Sequence, residues 1–405
     1  MKKIMALAMV LVVLLCGCSY KRAGIRPRTM SSDYSMKKNS GDNSEQYIDA
    51  MVKFSLDIFR TNYEYCKDNT VVSPLSIVLA LAMTENGATG DTLKEFEELT
   101  GCNVDTLTKE LNFYLSSLME DESLKAANSV WYEKKLDISA DFVKKCVESF
   151  DAQIFSEEFS SATVDKVNSW VKDKTDNKID SIIDKLDPES KMLLINALSF
   201  EAKWTHPFEK ENTCKRKFTN TDGNEVITEF MSSDESGYIR TDDVSAFIKT
   251  YKGGKYSFIA MLPDEKYTLE EYIDRLDVCT FKELLNHKSN KSAMVYIPKF
   301  KMEYELSQKN VLESLGLNKA FGYEAQFGGM LKSGQDNLFI DDVIHKAYIE
   351  VDEEGTKAAA VTAVIMNVKS AAMNENILVF DRPFIYCIYD NEAKLPVFMG
   401  TVENL

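Results

Sequence analysis

Near the C-terminus, two apolar runs at residues 384–389 (Phe-Ile-Tyr-Cys-Ile-Tyr) and 395–401 (Leu-Pro-Val-Phe-Met-Gly-Thr) flank a polar turn at residues 390–394. Neither run alternates apolar with polar residues, so neither can turn a face to water. They predict a hairpin buried on both sides. Residues 193–200 and 257–262 are further compact apolar strand candidates, residues 294–306 form a long, partly alternating one, and Asp222-Gly223 marks a hairpin turn.

The first half of the chain reads differently. Tyr47, Met51, Phe54 and Ile58 recur at helical spacing. After the short extended run at residues 69–72, Ser73 can cap a helix and Pro74 suits its first turn. The following residues 75–83 are apolar nearly all round, which predicts a core helix ended by Gly87. An amphipathic helix at residues 92–99 follows, with Asp91 as its cap, and another at residues 167–179. Helices therefore dominate the first half and strands the second, without internal repeat. Only 8 prolines and 17 glycines leave little room for linkers. The expectation is one α+β domain over residues 45–405.

Charge and composition exclude several functions. The net charge of -16 repels polyphosphate and argues against nucleic-acid binding. The cysteines after Cys18 (Cys66, Cys102, Cys146, Cys214, Cys279, Cys387) form no C-x-x-C pair and read as mostly buried thiols. His206, His287 and His345 lie far apart, so no histidine-based metal motif is present, and no cofactor is implied. There is no G-x-S-x-G elbow, H-E-x-x-H, phosphate loop or EF-hand spacing, which argues against a secreted enzyme.

Lys2 and Lys3 precede an apolar run over residues 4–15, too short to span a bilayer and shaped like a secretory signal. The following Leu15-Cys16-Gly17-Cys18 resembles a bacterial lipoprotein signal. That resemblance implies a signal at residues 1–17, acylation of Cys18 and a place on the outer face of a cell membrane; a simple cleaved signal with secretion is the alternative. Residues 18–44 read as a flexible tether. From Ser19 to Ser44 this stretch holds six basic and two acidic residues. A basic tether beneath an acidic body suits an anionic membrane.

Residues 353–373 fit no packed element well. They are small and β-branched, and they lie between strand-like residues 347–351 and 377–380. Composition alone favours an alanine-rich helix. The alternate set Thr356, Ala358, Ala360, Thr362 and Val364 equally suits one face of a strand that slides under a covering layer.

The phrase Glu353, Glu354, Gly355, Thr356, Lys357, Ala358, Ala359, Ala360, Val361, Thr362 resembles the reactive-loop hinge of inhibitory serpins, with Lys357 where glutamate is usual. Val343-Ile344-His345-Lys346-Ala347, Phe380-x-Arg-Pro383-Phe384, Phe398-Met399-Gly400, Val72-Ser73-Pro74-Leu75-Ser76-Ile77, Asn196-Ala197, Trp204 with Pro207-Phe208, and Met261-Leu262-Pro263-Asp264 are similar to serpin phrases in family order. The resemblance implies an α+β serpin fold: a large mixed central sheet, two further sheets, eight or nine helices and an exposed reactive loop. It implies a shutter of Ser73, Ser76, Asn196 and His345, hydrogen-bonded to one another beneath the sheet. It also implies a breach at Trp204 with an ion pair of Lys299 and Glu353. The family register from Glu353 puts the scissile bond at Lys369–Ser370. Lys369 is the one basic residue between Lys357 and Arg382. The implied function is suicide inhibition of a trypsin-like serine protease by a monomer. The alternative is a non-inhibitory serpin acting as a binding protein or chaperone.

Overall fold

A computed structural model describes residues 34–41, 44–118, 121–186, 190–287, 292–335, 338–356 and 376–405. Cys18, the hinge residues Lys357 to Thr362, and Lys369 and Ser370 lie outside the described residues.

The helical first half runs α1 (Glu45–Cys66), α2 (Pro74–Glu85), α3 (Gly90–Thr100), α4 (Val104–Leu118), α5 (Ala140–Phe150) and α6 (Ser161–Lys174), with strands β1 (Val71–Val72), β2 (Leu124–Glu133) and β3 (Gln153–Glu157) between them. Then come β4 (Met192–Phe200), β5 (Ala202–Lys203), β6 (Cys214–Thr219), β7 (Glu225–Glu235), β8 (Tyr238–Arg240), β9 (Val244–Thr250) and β10 (Tyr256–Pro263). Helices α7 (Leu269–Arg275) and α8 (Val278–Asn286) precede β11 (Ala293–Pro298) and β12 (Phe300–Ser307). The chain closes with α9 (Lys309–Ser314), β13 (Ile344–Val351), β14 (Gly355–Thr356), β15 (Ile377–Val379), β16 (Phe384–Asp390) and β17 (Leu395–Val402). This is the expected α+β architecture, with nine α-helices among the described residues.

The C-terminal hairpin β16–β17 is buried as its composition demands, in the centre of a six-stranded sheet ordered β1-β17-β16-β10-β9-β8. Helix α2 packs against it with every residue but Ala80 buried. Ser73 caps α2, accepting from the Ser76 amide at 3.2 Å. A second sheet is ordered β15-β11-β7-β6, with Asp222-Gly223 in the turn between β6 and β7. Gly223 has φ +83°, which suits glycine there.

The central sheet is divided. One part is β3-β2-β4, whose outer face carries a separate apolar cluster of Trp131, Phe155, Val167, Trp170 and Ile183 under α6. The other is β12-β13-β14-β5. Only Glu201 separates β4 from β5, so the two parts share one running strand. Among the described residues no ladder joins β4 to β13.

Five expectations are corrected. The strand expected over residues 294–306 is two strands in different sheets, β11 beside β7 and β12 beside β13. Pro298, which lacks an N–H, ends the first. The helix expected over residues 167–179 is α6, shifted to start at Ser161 and end at Lys174. Helix α3 begins two residues before expected, with Thr89 at the cap and Asp91 in its first turn. Among the described cysteines only Cys146 and Cys387 are buried; Cys66 and Cys102 are half-buried and Cys214 and Cys279 exposed. Residues 34–41, within the expected tether, pack on the body: the Lys37 amide donates to the Glu148 carbonyl at 2.9 Å and the Asn39 amide to Asn112 Oδ1 at 2.9 Å.

Candidate functional site: a hinge poised at an open sheet

Strand β13 ends at Val351 and the chain reverses at once. Asp352 makes the turn: its side chain accepts from the amides of Glu354 (2.8 Å) and Gly355 (3.0 Å), and its own amide donates to the Gly355 carbonyl at 3.0 Å. Gly355 and Thr356 then run back as β14, between β13 and β5, with Val351 opposite Thr356 and Gly355 opposite Lys203. A Cβ on Gly355 would overlap the Ala202 carbonyl oxygen and lie 2.8 Å from Lys203 Cα. Only glycine lets the hinge enter so closely.

The turn is gripped from β5 and the loop after it. The Trp204 amide donates to the Glu354 carbonyl at 3.0 Å, the Phe208 amide to the Glu353 carbonyl at 2.9 Å, and the Trp204 indole to the Asp352 carbonyl at 2.9 Å. The Glu353 carboxylate accepts from Thr213 Oγ1 at 2.9 Å and meets Lys299 Nζ at 3.3 Å. Lys299 also meets Glu229 at 3.2 Å. Burial raises the Glu353 pKa, but its hydrogen bonds and Lys299 outweigh burial and hold the carboxyl below its usual range. Lys210 meets Glu354 at 3.3 Å. Thr356 is buried, with Oγ1 2.5 Å from Tyr251 Oη, and Tyr251 stacks on Trp204 at 4.4 Å between centroids. Trp204, Lys299 and Glu353, singled out from the sequence, thus meet in one site.

The shutter residues do not form one cluster. The Ser73 amide donates to His345 Nε2 at 3.1 Å, and Ser73 Oγ donates to the Val397 carbonyl at 2.8 Å. Asn196 instead donates to Asn128 Oδ1 at 2.9 Å, and Asn128 to the Phe150 carbonyl at 2.7 Å. Asn196 Oδ1 is buried without a hydrogen-bond partner among the described residues. The expected mutual bonding therefore holds for Ser73, Ser76 and His345 and is corrected for Asn196: β13 and β4 each keep their own polar partners because the strands are apart. His345 accepts at Nε2, so Nδ1 carries the proton, and burial pulls its pKa down to about 4.

Between the parted strands lies a cavity of about 490 Å³. Residues 192–196 of β4 line one side, Ile344 and His345 the other, and Ser76, Ile77 and Ala80 of α2 its floor. A strand extending β14 downward would enter this space.

The comparisons agree with the geometry. A family model described as "Serpin (serine protease inhibitor)" matches residues 49–405. The chain belongs to the serpin family. Among curated relatives, this serpin is 31% identical to "Intracellular coagulation inhibitor 2" of Tachypleus tridentatus, over 93% of this chain and 96% of that one. It is 32% identical to "Iripin-3" of Ixodes ricinus, over 84% and 89%. Among solved structures it is similar to the thermophilic serpin tengpin in its native state, with TM-score 0.86, 38% identity, and coverage of 94% of this chain and 100% of that one. Against tengpin in the latent state the TM-score is 0.80, at 39% identity and 91% and 100% coverage. The family is one of protease inhibitors, not enzymes.

Several contacts of this serpin escaped the sequence reading: Asn128, Thr213, Glu229, Tyr251, and the pair of buried Lys249 with half-buried Glu235. Asn128 faces Asn196 across the β2–β4 ladder, a pairing that only the register reveals. Lys249 carried a readable signal. It shares strand parity with Phe247 and Tyr251, on an inward face.

Proposed function

We propose that this serpin is a suicide-substrate inhibitor of trypsin-like serine proteases, cleaved at Lys369–Ser370. One observation carries the reading: Thr356 already occupies the slot between β13 and β5, above a gap where β4 and β13 are unpaired. The protease serine attacks the Lys369 carbonyl carbon, and the bond to the Ser370 nitrogen breaks as that nitrogen takes a proton from the enzyme's histidine. The acyl-enzyme then hangs on a free loop end. Extension of β14 by the residues up to Lys369 satisfies open strand edges and fills the apolar gap. Some fourteen residues at ~3.3 Å each carry the protease roughly 45 Å, and distortion of its active site halts deacylation. In this reading Ser73, Ser76, Asn196 and His345 gate the parting, while Trp204, Lys299 and Glu353 guide entry. The name of the Tachypleus relative, an inhibitor, points the same way.

The test is incubation with trypsin and denaturing electrophoresis. The expected result is a denaturant-stable complex and a released fragment beginning at Ser370. Quantitative cleavage without complex would favour a non-inhibitory serpin, and no cleavage near Lys369 would refute the register.

We also propose that Cys18 is acylated and that residues 18–33 tether the body, as a monomer, to the outer face of a bacterial membrane. The support is the signal-like residues 1–17 followed by Cys18 and a basic stretch. Palmitate labelling that survives Cys18→Ala would overturn it.

A further inference from the structure

Lys249 lies in β9 at 3% exposure, among apolar neighbours. Its ammonium pairs with Glu235, a half-buried residue at the end of β7 that also accepts from Ser233 Oγ at 2.5 Å. It sits 4.1 Å from the ring centroid of Phe208 and 5.9 Å from that of Trp204. An apolar side chain of similar volume would fill the space without desolvating a charge. What the ammonium adds is direction: it draws ring faces toward a fixed carboxylate.

The two rings it holds belong to the residues whose amides grip the hinge. Phe208 donates to Glu353 and Trp204 to Glu354, and Trp204 stacks on Tyr251, which contacts Thr356. A continuous column therefore runs from Glu235 through Lys249, Phe208 and Trp204 to the first inserted residue. The edge contact of Trp204 with Phe208, at 6.2 Å and 89°, closes it. Lys299, by contrast, touches the hinge directly through Glu353.

We propose that Lys249, oriented by Glu235, is a positioning residue for the hinge: by seating Phe208 and Trp204 it holds the turn at Glu353 and Glu354 and keeps Thr356 in the sheet. The effect on protease trapping rests on the inhibitor reading above; the position of the hinge in the uncleaved protein does not. Burial lowers the Lys249 pKa against the pull of Glu235, consistent with a charge kept by that carboxylate.

The experiment is amide hydrogen exchange on the intact, uncleaved protein. Lys249→Met should speed exchange at residues 353–356 about tenfold, with β10 and β16 unchanged. Lys249→Arg, which keeps a cation able to pair and stack, should restore exchange to within about threefold of the parent. Unchanged exchange at the hinge, uniform acceleration across β9 and β10, or failure of arginine to rescue would overturn the proposal. If Lys249→Met does not fold, Glu235→Gln carries the test with the same opposing outcomes. If trypsin forms no stable complex with the parent protein while hinge exchange responds as stated, the inhibitor reading falls and the positioning role stands.

Discussion

Two buried ionisable residues set opposite pH responses. Glu85 ends α2 with both carboxylate oxygens unpartnered among the described residues, and burial, with help from Glu97, pushes its pKa up to about 8. A raised acid pKa gives stability that is full below the unfolded value and is lost as pH rises through the folded one, so the loss spans pH 4.5 to about 8. Glu85→Gln should therefore raise the melting temperature by roughly 5 °C at pH 8 and leave it nearly unchanged at pH 4.5. Thermal scans at the two pH values check this; an equal gain at both would refute it. His345 works the other way. Its pKa falls from 6.5 to about 4 because burial disfavours the cation. The unfolded chain binds the proton first, so stability declines as pH falls from 6.5 toward 4. Protonation also removes the acceptor for the Ser73 amide. A His345→Gln variant should lose that slope, as read by denaturant unfolding at pH 7 and pH 5.

At the scale of elements, the hinge turn and β5 behave as one lock. Gly355 admits the hinge because its missing Cβ leaves room for the Ala202 carbonyl. Gly355→Val should expel Thr356 from between β13 and β5, and the peptide bonds at residues 353–356 should become cleavable by a nonspecific protease at least about tenfold faster. Unaltered cleavage would show that β14 tolerates a side chain there. Helix α2, the hairpin of β16 and β17, and β10 were legible because near-continuous apolar runs admit only burial. The break at Pro298 was less so: residues 294–306 keep an alternating pattern on both sides, and alternation names a face, not a sheet. The hinge was legible only through resemblance, since small residues suit helix and strand alike.

At the scale of the whole molecule, the central sheet is open beneath an already inserted Thr356. Arginine at that position would have to bury a charge where Thr356 meets Tyr251. If the protein acts as proposed, Thr356→Arg should turn the inhibitor into a substrate, with the stable trypsin complex falling at least about tenfold while cleavage at Lys369 continues. Sustained complex formation, read on denaturing gels, would sink the insertion mechanism. The chain's own order of residues determined which runs must be buried, that helices precede strands, and which phrases mark the hinge, Trp204, Lys299 and Glu353. The first two are local properties of period and volume; the phrases were legible through resemblance to the family. Tertiary structure alone decided that Asn196 pairs with Asn128 rather than His345, that β4 and β13 stand apart, and that Lys249 reaches the hinge through two rings. Such contacts join residues far apart in sequence, and what brings them together is the register of ladders and the packing of layers, which no local pattern encodes.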